Sequence, residues 1–192
     1  MTDYMAPLLP FIAMIDDSDL ACLLNDFMRN SVPAYYWTTG ASASGKYHPA
    51  FAKGEGGLVR HTVAVIKLAL ELYGVECMND GSEGFTKDDV ITAAMIHDTF
   101  KYGMENTITA NGKLQFKHHG EIAASAFRLA GLMADYVVNP AILRAVECHM
   151  GQWTPTEGNR NPGESQLARI IHVADYIASR NFIDLPEFHE GE

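Results

Sequence analysis

Residues 90–101 read Val90-Ile-Thr-Ala-Ala-Met-Ile-His97-Asp98-Thr-Phe-Lys101, an apolar helical stretch that ends in adjacent imidazole and carboxylate side chains. Such a pair at one helix end provides half of a site for a divalent metal ion. Nitrogen and oxygen ligands together suit Zn, Fe, Mn, Co, Ni or Mg rather than the soft metals that thiolates bind. The stretch therefore predicts a buried helix with a metal site at its end.

Four other predicted helical segments each carry one histidine or aspartate among apolar neighbours at helical spacing. These residues are His61, His119, His149 and Asp175. A single histidine on an apolar face is more often a core residue with backbone partners than a metal ligand. A buried carboxylate is costlier, because without a cation its pKa would have to shift. Since four of the eight histidines recur in this way beside two carboxylates, one or two metal ions explain the pattern better than independent core histidines.

Composition excludes several other classes of protein. The chain has 192 residues, 47% of them hydrophobic, which suits one compact domain. A net charge of −10 argues against a protein that coats nucleic acid non-specifically, because the protein would repel a long polyanion. Three scattered cysteines without a C-x-x-C pair favour a reducing compartment. With no signal-peptide pattern and no long apolar run, we expect a cytoplasmic protein without a membrane partner.

Hydrophobic periodicity predicts a mainly α-helical chain. We expect helices over residues 18–30, 58–73, 86–98, 119–136, 140–150 and 164–180. Gly74 is expected to end the second of these helices. Alternation around Asn111-Gly112 predicts a two-stranded hairpin. The predicted fold class is therefore all-α with a small inserted β-hairpin near residues 107–116.

Residues 31–57 form a long irregular stretch between the first two predicted helices. A loop of this length inside a compact domain is often a binding loop. An equally good interpretation is a surface segment packed by its own aromatic residues. Tyr35, Tyr36 and Trp37 would stack a nucleobase in the first case and form a small core in the second.

The order of these residues resembles the HD-domain superfamily of metal-dependent phosphohydrolases. Three segments carry the resemblance: Gly56-Gly57-Leu-Val-Arg60-His61-Thr62, His97-Asp98-Thr-Phe-Lys101 and His172-Val-Ala-Asp175. The similarity spans roughly residues 42–180 and is closest to HD domains of the 3′–5′ exoribonuclease type and to stand-alone nucleotide hydrolases. It implies an HD-domain helical bundle.

The domain organisation that follows from this resemblance is a single HD domain over residues 1–192. Its core would span residues 58–180. An N-terminal helix and the long loop would occupy residues 18–57, and residues 181–192 would form a short C-terminal tail.

Two positions depart from the pattern of the family. Phe100 stands where a glycine usually precedes the lysine, which puts the presentation of Lys101 in question. His118 lies beside His119, so that either could be the ligand there. We expect His119 to be the ligand, because its spacing matches the apolar stripe of the helix that follows.

The resemblance also implies a set of ligands for one or two divalent metal ions. One ion would be held by His61, His97, Asp98 and Asp175. A second ion, roughly 3.5–4 Å away, would be held by His119 and His149 with Asp98 bridging the two. Metal-bound hydroxide would then attack phosphorus, with Asp98 and Lys101 as the catalytic residues.

Several basic residues are candidates for contact with the substrate. Lys101 is the first choice for a phosphate oxygen, and a solvated lysine after a helix end is the weaker alternative. Lys46, His48 and Arg60 are weaker candidates. His172 lies one turn before Asp175 and would either hold that carboxylate or simply pack.

The function expected on this basis is hydrolysis of a nucleotide or a short phosphodiester. The partner would be a small phosphorylated substrate, with a short nucleic-acid 3′ end as a further possibility. An HD-fold di-iron oxygenase is an alternative, because such proteins resemble this one in the order of six ligands. A non-catalytic nucleotide-binding HD domain is a third, and the intact set of ligands speaks against it.

Overall fold

The computed structural model of the chain describes residues 4–42, 48–79, 84–104, 118–151 and 165–185, which form α-helices and one 3-10 turn without a β-strand. The helices are α1 (Leu9–Ile12), α2 (Ser18–Asn30), α3 (Tyr35–Thr38), α4 (Gly57–Asn79), α5 (Lys87–Ile96), α6 (His119–Met133), α7 (Pro140–Cys148) and α8 (Gln166–Ala178). The predicted helical class is confirmed. The predicted hairpin near residues 107–116 lies outside the described residues.

Helix α5 occupies the centre of the fold. Thr86 and Asp89 form a capping box at its start, in which the Thr86 backbone N–H donates to Asp89 Oδ2 over 2.8 Å. Every residue from Val90 to Phe100 is buried. The sequence predicts one apolar face here, but the helix is enclosed on all sides because α4, α6, α7 and α8 all pack against it.

The end of α5 places the His97-Asp98 pair in the interior. His97 is the C-cap residue, and tight turns follow in which the backbone N–H of Thr99 donates to Ile96 O and that of Lys101 to Asp98 O. Phe100 is 1% exposed and belongs to the hydrophobic core. It fills this position without a left-handed backbone, so the turn does not require a glycine there.

Helices α4 and α7 join the remaining elements to this centre. Helix α4 packs against α5 and α8, whereas α7 packs against α5, α6 and α8. The Asn139 side chain caps α7 by accepting from the backbone N–H of Ala141, and Pro140 occupies the first turn. Helices α4 to α8 thus bring five chain segments to one region of the core.

The prediction that Gly74 ends the second helix is wrong, because α4 continues to Asn79. A glycine closes a helix when it adopts the left-handed conformation, and Gly74 does not. Helix α6 ends at Met133, three residues earlier than expected, and a residue in the left-handed conformation follows it. Asp135 has a φ of 54°, and the N–H of Tyr136 then donates to Gly131 O over 2.9 Å.

The aromatic residues of the long loop pack into the protein rather than lying open for a base. Tyr36 is fully buried, and its hydroxyl donates to Thr62 Oγ1 over 2.9 Å. Trp37 meets the Tyr36 ring edge to face at 4.9 Å between centroids. The segment therefore attaches to α4 next to His61. Among the described residues, no helix combines the length and apolar character needed to cross a membrane.

The course of α4 makes a prediction about Gly74. A Cβ added at Gly74 meets nothing within 4 Å, so Gly74→Ala should raise the free energy of unfolding by about 0.5–1 kcal/mol. Urea unfolding followed by circular dichroism measures the change. In Gly131→Ala, the control, the new Cβ would lie 2.6 Å from Val138 Cγ2, and stability should fall. A loss of stability in Gly74→Ala would contradict a continuous α4.

Candidate metal centre

Six polar side chains from five helical elements converge in the core. They are His61 of α4, His97 and Asp98 at the end of α5, His119 at the start of α6, His149 just after α7 and Asp175 of α8. The four histidines are at most 1% exposed. The ligand atoms form two groups, each with its atoms within 4.8 Å of one another. We call His61, His97, Asp98 and Asp175 the first ligand group, and Asp98, His119 and His149 the second ligand group.

The first ligand group surrounds two carboxylate oxygens with two imidazoles. His61 Nε2 lies 3.1 Å from Asp175 Oδ1 and 3.6 Å from Asp98 Oδ2. His97 Nε2 lies 3.5 Å from Asp98 Oδ2 and 3.9 Å from Asp175 Oδ1. The Asp175 side chain is 20% exposed and that of Asp98 only 2%, so the group reaches solvent on the side of Asp175.

The second ligand group uses the other oxygen of Asp98. His119 Nε2 lies 3.0 Å and His149 Nε2 3.6 Å from Asp98 Oδ1. The two imidazole Nε2 atoms are 3.0 Å apart. Asp98 therefore presents Oδ2 to the first group and Oδ1 to the second, and it would contribute to both groups if each held a cation.

The hydrogen bonds of two ligands fix which ring nitrogen carries the proton. His97 Nδ1 lies 2.7 Å from Ala94 O, and His149 Nδ1 lies 2.6 Å from Val146 O. A carbonyl oxygen only accepts, so Nδ1 is the donor in each ring, and in the neutral ring Nε2 carries a lone pair. Backbone anchoring of this kind is usual for histidines that bind metal.

His97 Nε2 provides the test of whether this set of residues fits a cation. The atom is buried, and it has no hydrogen-bond partner among the described residues, although two carboxylates lie within 4 Å of it. A lone pair that faces carboxylate oxygens is unfavourable unless a proton or a metal ion lies between them. The described groups are thus suited to hold divalent metal ions, and their nitrogen and oxygen donors favour borderline or hard cations.

The electrostatics keep both carboxylates ionised. Burial by itself would raise the pKa of Asp98, but the charges of Lys101 and His97 hold it well below its usual range. Burial would likewise raise the pKa of Asp175, and the hydrogen bond with His61 lowers it below its usual range. Both groups are therefore anionic at neutral pH and ready to bind a cation.

The histidines respond to the same environment in two ways. Burial lowers the pKa of His61 and of His149, so these rings are neutral and able to coordinate. Burial opposes the charged form of His97 too, but the adjacent Asp98 carboxylate raises its pKa above the ordinary value. A proton on His97 competes with a metal ion for the same lone pair, which links cation binding at this ligand to pH.

Gly120 allows the second ligand group to form. A Cβ at this position would lie 2.5 Å from Val146 O and 3.2 Å from His149 Nδ1. Only glycine permits such close approach of α6 to α7, and this approach brings the rings of His119 and His149 to 4.8 Å between centroids. Sequence reasoning missed this residue, although a glycine directly after a ligand histidine is a signal that could have revealed it.

The Lys101 side chain contacts the carboxylate that the two ligand groups share. Its ammonium pairs with Asp98 Oδ2, and the side chain is only 8% exposed. Burial would lower the pKa of Lys101, but the Asp98 carboxylate raises it, so the lysine is charged. Tyr35 holds the turn that follows, because its hydroxyl donates to Gly103 O over 2.7 Å and accepts from the N–H of Tyr102.

The other predicted substrate contacts are placed differently. Arg60 donates to the backbone carbonyls of Phe51 and Lys53, the latter over 2.9 Å. His48 lies against the ligand His61, with ring centroids 5.5 Å apart. Burial lowers the pKa of His48 to about 4, and the nearby His61 ring and Lys101 ammonium act in the same direction. Lys46 lies outside the described residues.

Two further histidines have roles apart from the ligand groups. The His118 side chain is 47% exposed and pairs with Glu121, so the structure brings His119 and not His118 to the centre. His172 Nδ1 lies 2.7 Å from His149 O, and the His172 ring packs against Gly151. His172 therefore supports the segment of His149 rather than the Asp175 carboxylate.

Comparison with known proteins defines the class of this molecule. Residues 58–180 match the family described as HD domain, so the chain belongs to the HD-domain family. This confirms the resemblance found in the sequence and covers all six ligands.

A curated relative indicates the chemistry. The chain is 26% identical, over 192 aligned positions, to the dihydroneopterin 2′,3′-cyclic phosphate phosphodiesterase of Methanocaldococcus jannaschii. The alignment covers 92% of this chain and 69% of the relative. No solved structure matches the chain at a significant level. Family and relative together identify a hydrolase of the HD type.

The role of Gly120 gives a prediction about cation binding. Gly120→Ala should push α6 away from α7 and lower the affinity of the second ligand group for Mn²⁺ or Co²⁺ by about 10-fold or more. Titration of metal-free protein, followed by calorimetry, measures the affinities. Gly131→Ala is the matched control, since it crowds the same helix at Val138 instead of at a ligand. Equal losses of affinity in the two variants would contradict a specific role for Gly120.

Proposed function

We propose that this protein is a metal-dependent phosphohydrolase that cleaves a short phosphodiester of a nucleotide or a nucleotide-like compound. The observation that carries the proposal is the placement of Asp98, whose two oxygens face two separate ligand groups. A bridging carboxylate with histidines on both sides suits a pair of cations that share one phosphate group.

The proposed ligands are those of the two groups. His61, His97, Asp98 and Asp175 would hold one divalent ion, and Asp98, His119 and His149 would hold a second. Mn, Fe, Co, Ni, Zn and Mg all accept such donors, and availability decides among them. When bound, such ions supply Lewis acidity toward phosphoryl oxygens and lower the pKa of coordinated water.

Lys101 is the proposed contact for a phosphate oxygen. Its ammonium is charged, nearly buried and directed at Asp98, which places a positive charge beside the point where both ligand groups meet. A cation fixed in this way stabilises the charge that develops on the transferred phosphoryl group. Lys46 and His48 remain proposed as further contacts. Arg60, which is engaged with backbone carbonyls, would act by holding residues 51–53 in place.

The proposed substrate class is a small phosphodiester. The name of the relative from Methanocaldococcus jannaschii states that it acts on a cyclic phosphate, in which phosphorus is bonded to two ester oxygens. The net charge of −10 disfavours a long nucleic acid, and the comparisons give no support to a nucleic-acid 3′ end. A nucleotide-sized cyclic or linear diester is therefore the first class of compound to test.

The ligand His119 and its exposed neighbour His118 provide a direct test. His119→Ala should lower kcat/KM for bis(p-nitrophenyl) phosphate in the presence of Mn²⁺ by about 100-fold or more, because it removes a donor from the second ligand group. His118→Ala should leave the rate within about twofold, since that side chain is 47% exposed, pairs with Glu121 and belongs to neither ligand group. Equal activity of wild type and His119→Ala would contradict the proposal.

Dioxygen dependence separates hydrolysis from the oxygenase alternative. Hydrolysis consumes only water, so turnover of the diester should be unchanged under anaerobic conditions, measured as release of p-nitrophenolate in a glove box. The same preparation assayed in air is the control. A rate that falls to background without dioxygen, and recovers on its return, would favour an oxygenase.

A further inference from the structure

His48 lies at the metal centre without belonging to either ligand group. Its ring meets the ring of His61 at 65° with centroids 5.5 Å apart. Neither group of candidate ligand atoms in the described part of the chain includes it. The electrostatic influences on His48 come from His61, Lys101, Asp98 and Asp175. Three of these residues are candidate ligands, and Lys101 pairs with one of them.

Within the described part of the chain, both ring nitrogens of His48 lack a hydrogen-bond partner. The residue is partly exposed, yet Nδ1 and Nε2 are themselves buried and contact no donor or acceptor. The ring thus turns its polar atoms inward. A buried polar atom without a partner is unfavourable, so a position of this kind points to a group that is satisfied by a ligand.

The backbone around His48 is fastened to α4, which fixes the position of the ring. Pro49 is buried and begins the 3-10 turn at Ala50–Ala52. Arg60 donates to Phe51 O within this turn and to Lys53 O just after it. Since Arg60 and His61 are adjacent in α4, one helix turn holds both the ligand and the segment that carries His48.

Gly57 strengthens this attachment. A Cβ there would lie 2.4 Å from Ala52 O, so the turn rests directly on the first turn of α4. On the other side, the N–H of Ala41 donates to Ala52 O over 2.9 Å. The turn that begins two residues after His48 is thus packed between α4 and the segment of Ala41.

We propose that His48 binds the substrate, with a ring N–H donating a hydrogen bond to a phosphate oxygen of an ester that lies on the metal centre. His48 and Lys101 would then form two donors to one phosphate group. Imidazole carries at least one N–H in its neutral and in its charged form, so the role does not depend on the protonation state of the ring. The inference rests on the proposed phosphohydrolase function and adds a residue for the recognition of phosphate.

The experiment compares His48→Phe with His48→Asn in protein loaded with Mn²⁺. Phenylalanine keeps the ring shape without a donor, whereas asparagine keeps a side-chain N–H. His48→Phe should weaken inhibition by inorganic phosphate and lower kcat/KM for bis(p-nitrophenyl) phosphate, each by about 10- to 100-fold, as loss of one hydrogen bond to a charged group implies. His48→Asn should recover part of both losses, and metal content should match that of wild type in both variants.

His118→Phe serves as the control, because the exposed His118 has no part in the centre. Unchanged phosphate inhibition in His48→Phe would overturn the inference. A loss that follows the metal content and disappears in excess Mn²⁺ would overturn it too, since His48 would then only orient the His61 ligand.

A wild-type protein that binds phosphate but hydrolyses no diester would contradict the proposed function alone. Phosphate affinity in wild type and in His48→Phe would then still decide the role of His48.

Discussion

The carboxylate of Asp98 is the constraint on which the rest of the structure depends. It is almost fully buried, and within 4 Å of its oxygens lie His61, His97, His119 and His149. An ionised group in the core needs compensating charge, and here Lys101 provides part of it. The described protein atoms leave His97 Nε2 without a partner beside this carboxylate. The side chains around Asp98 therefore supply part of the positive charge that this carboxylate requires, and divalent cations would supply the rest.

The packing of the helices follows from this requirement. The end of helix α5 places Asp98 in the middle of the molecule. Four other helices pack around α5, and its residues are buried on all sides from Val90 onward. Its two acidic residues at the start are buried as well. Asp88 accepts from the backbone N–H groups of Asp16 and Asp17, and Asp89 caps its own helix. The N-terminal segment thereby closes one end of α5 while the metal centre occupies the other.

Much of this arrangement can be predicted from the sequence, for a physical reason. A histidine or aspartate on an apolar stripe, such as His149 after Ile142 and Val146, is visible as a break in a regular pattern. Caps are equally visible, because Thr86 with Asp89 and Asn139 with Pro140 act within a few residues of each other. Local chemistry therefore suffices to predict these helices, and the match to the HD-domain family confirms the overall assignment.

Features that depend on contacts between distant segments could not be predicted in this way. Gly74 looks like a helix end, but nothing in the local sequence shows that α4 continues past it. The importance of Gly120 is visible only once α7 packs against it. Likewise, nothing in the local sequence shows that Arg60 donates to the carbonyls of Phe51 and Lys53. The same holds for Tyr35, whose hydroxyl forms hydrogen bonds with the backbone of the distant residues 102 and 103.

The unequal exposure of the two carboxylates determines how the centre communicates with solvent. The side chain of Asp175 is 20% exposed, whereas the side chains of His119 and His149 are at most 1% exposed. A cation in solution would thus find the most accessible of the six candidate ligands at Asp175, on the edge of the first ligand group.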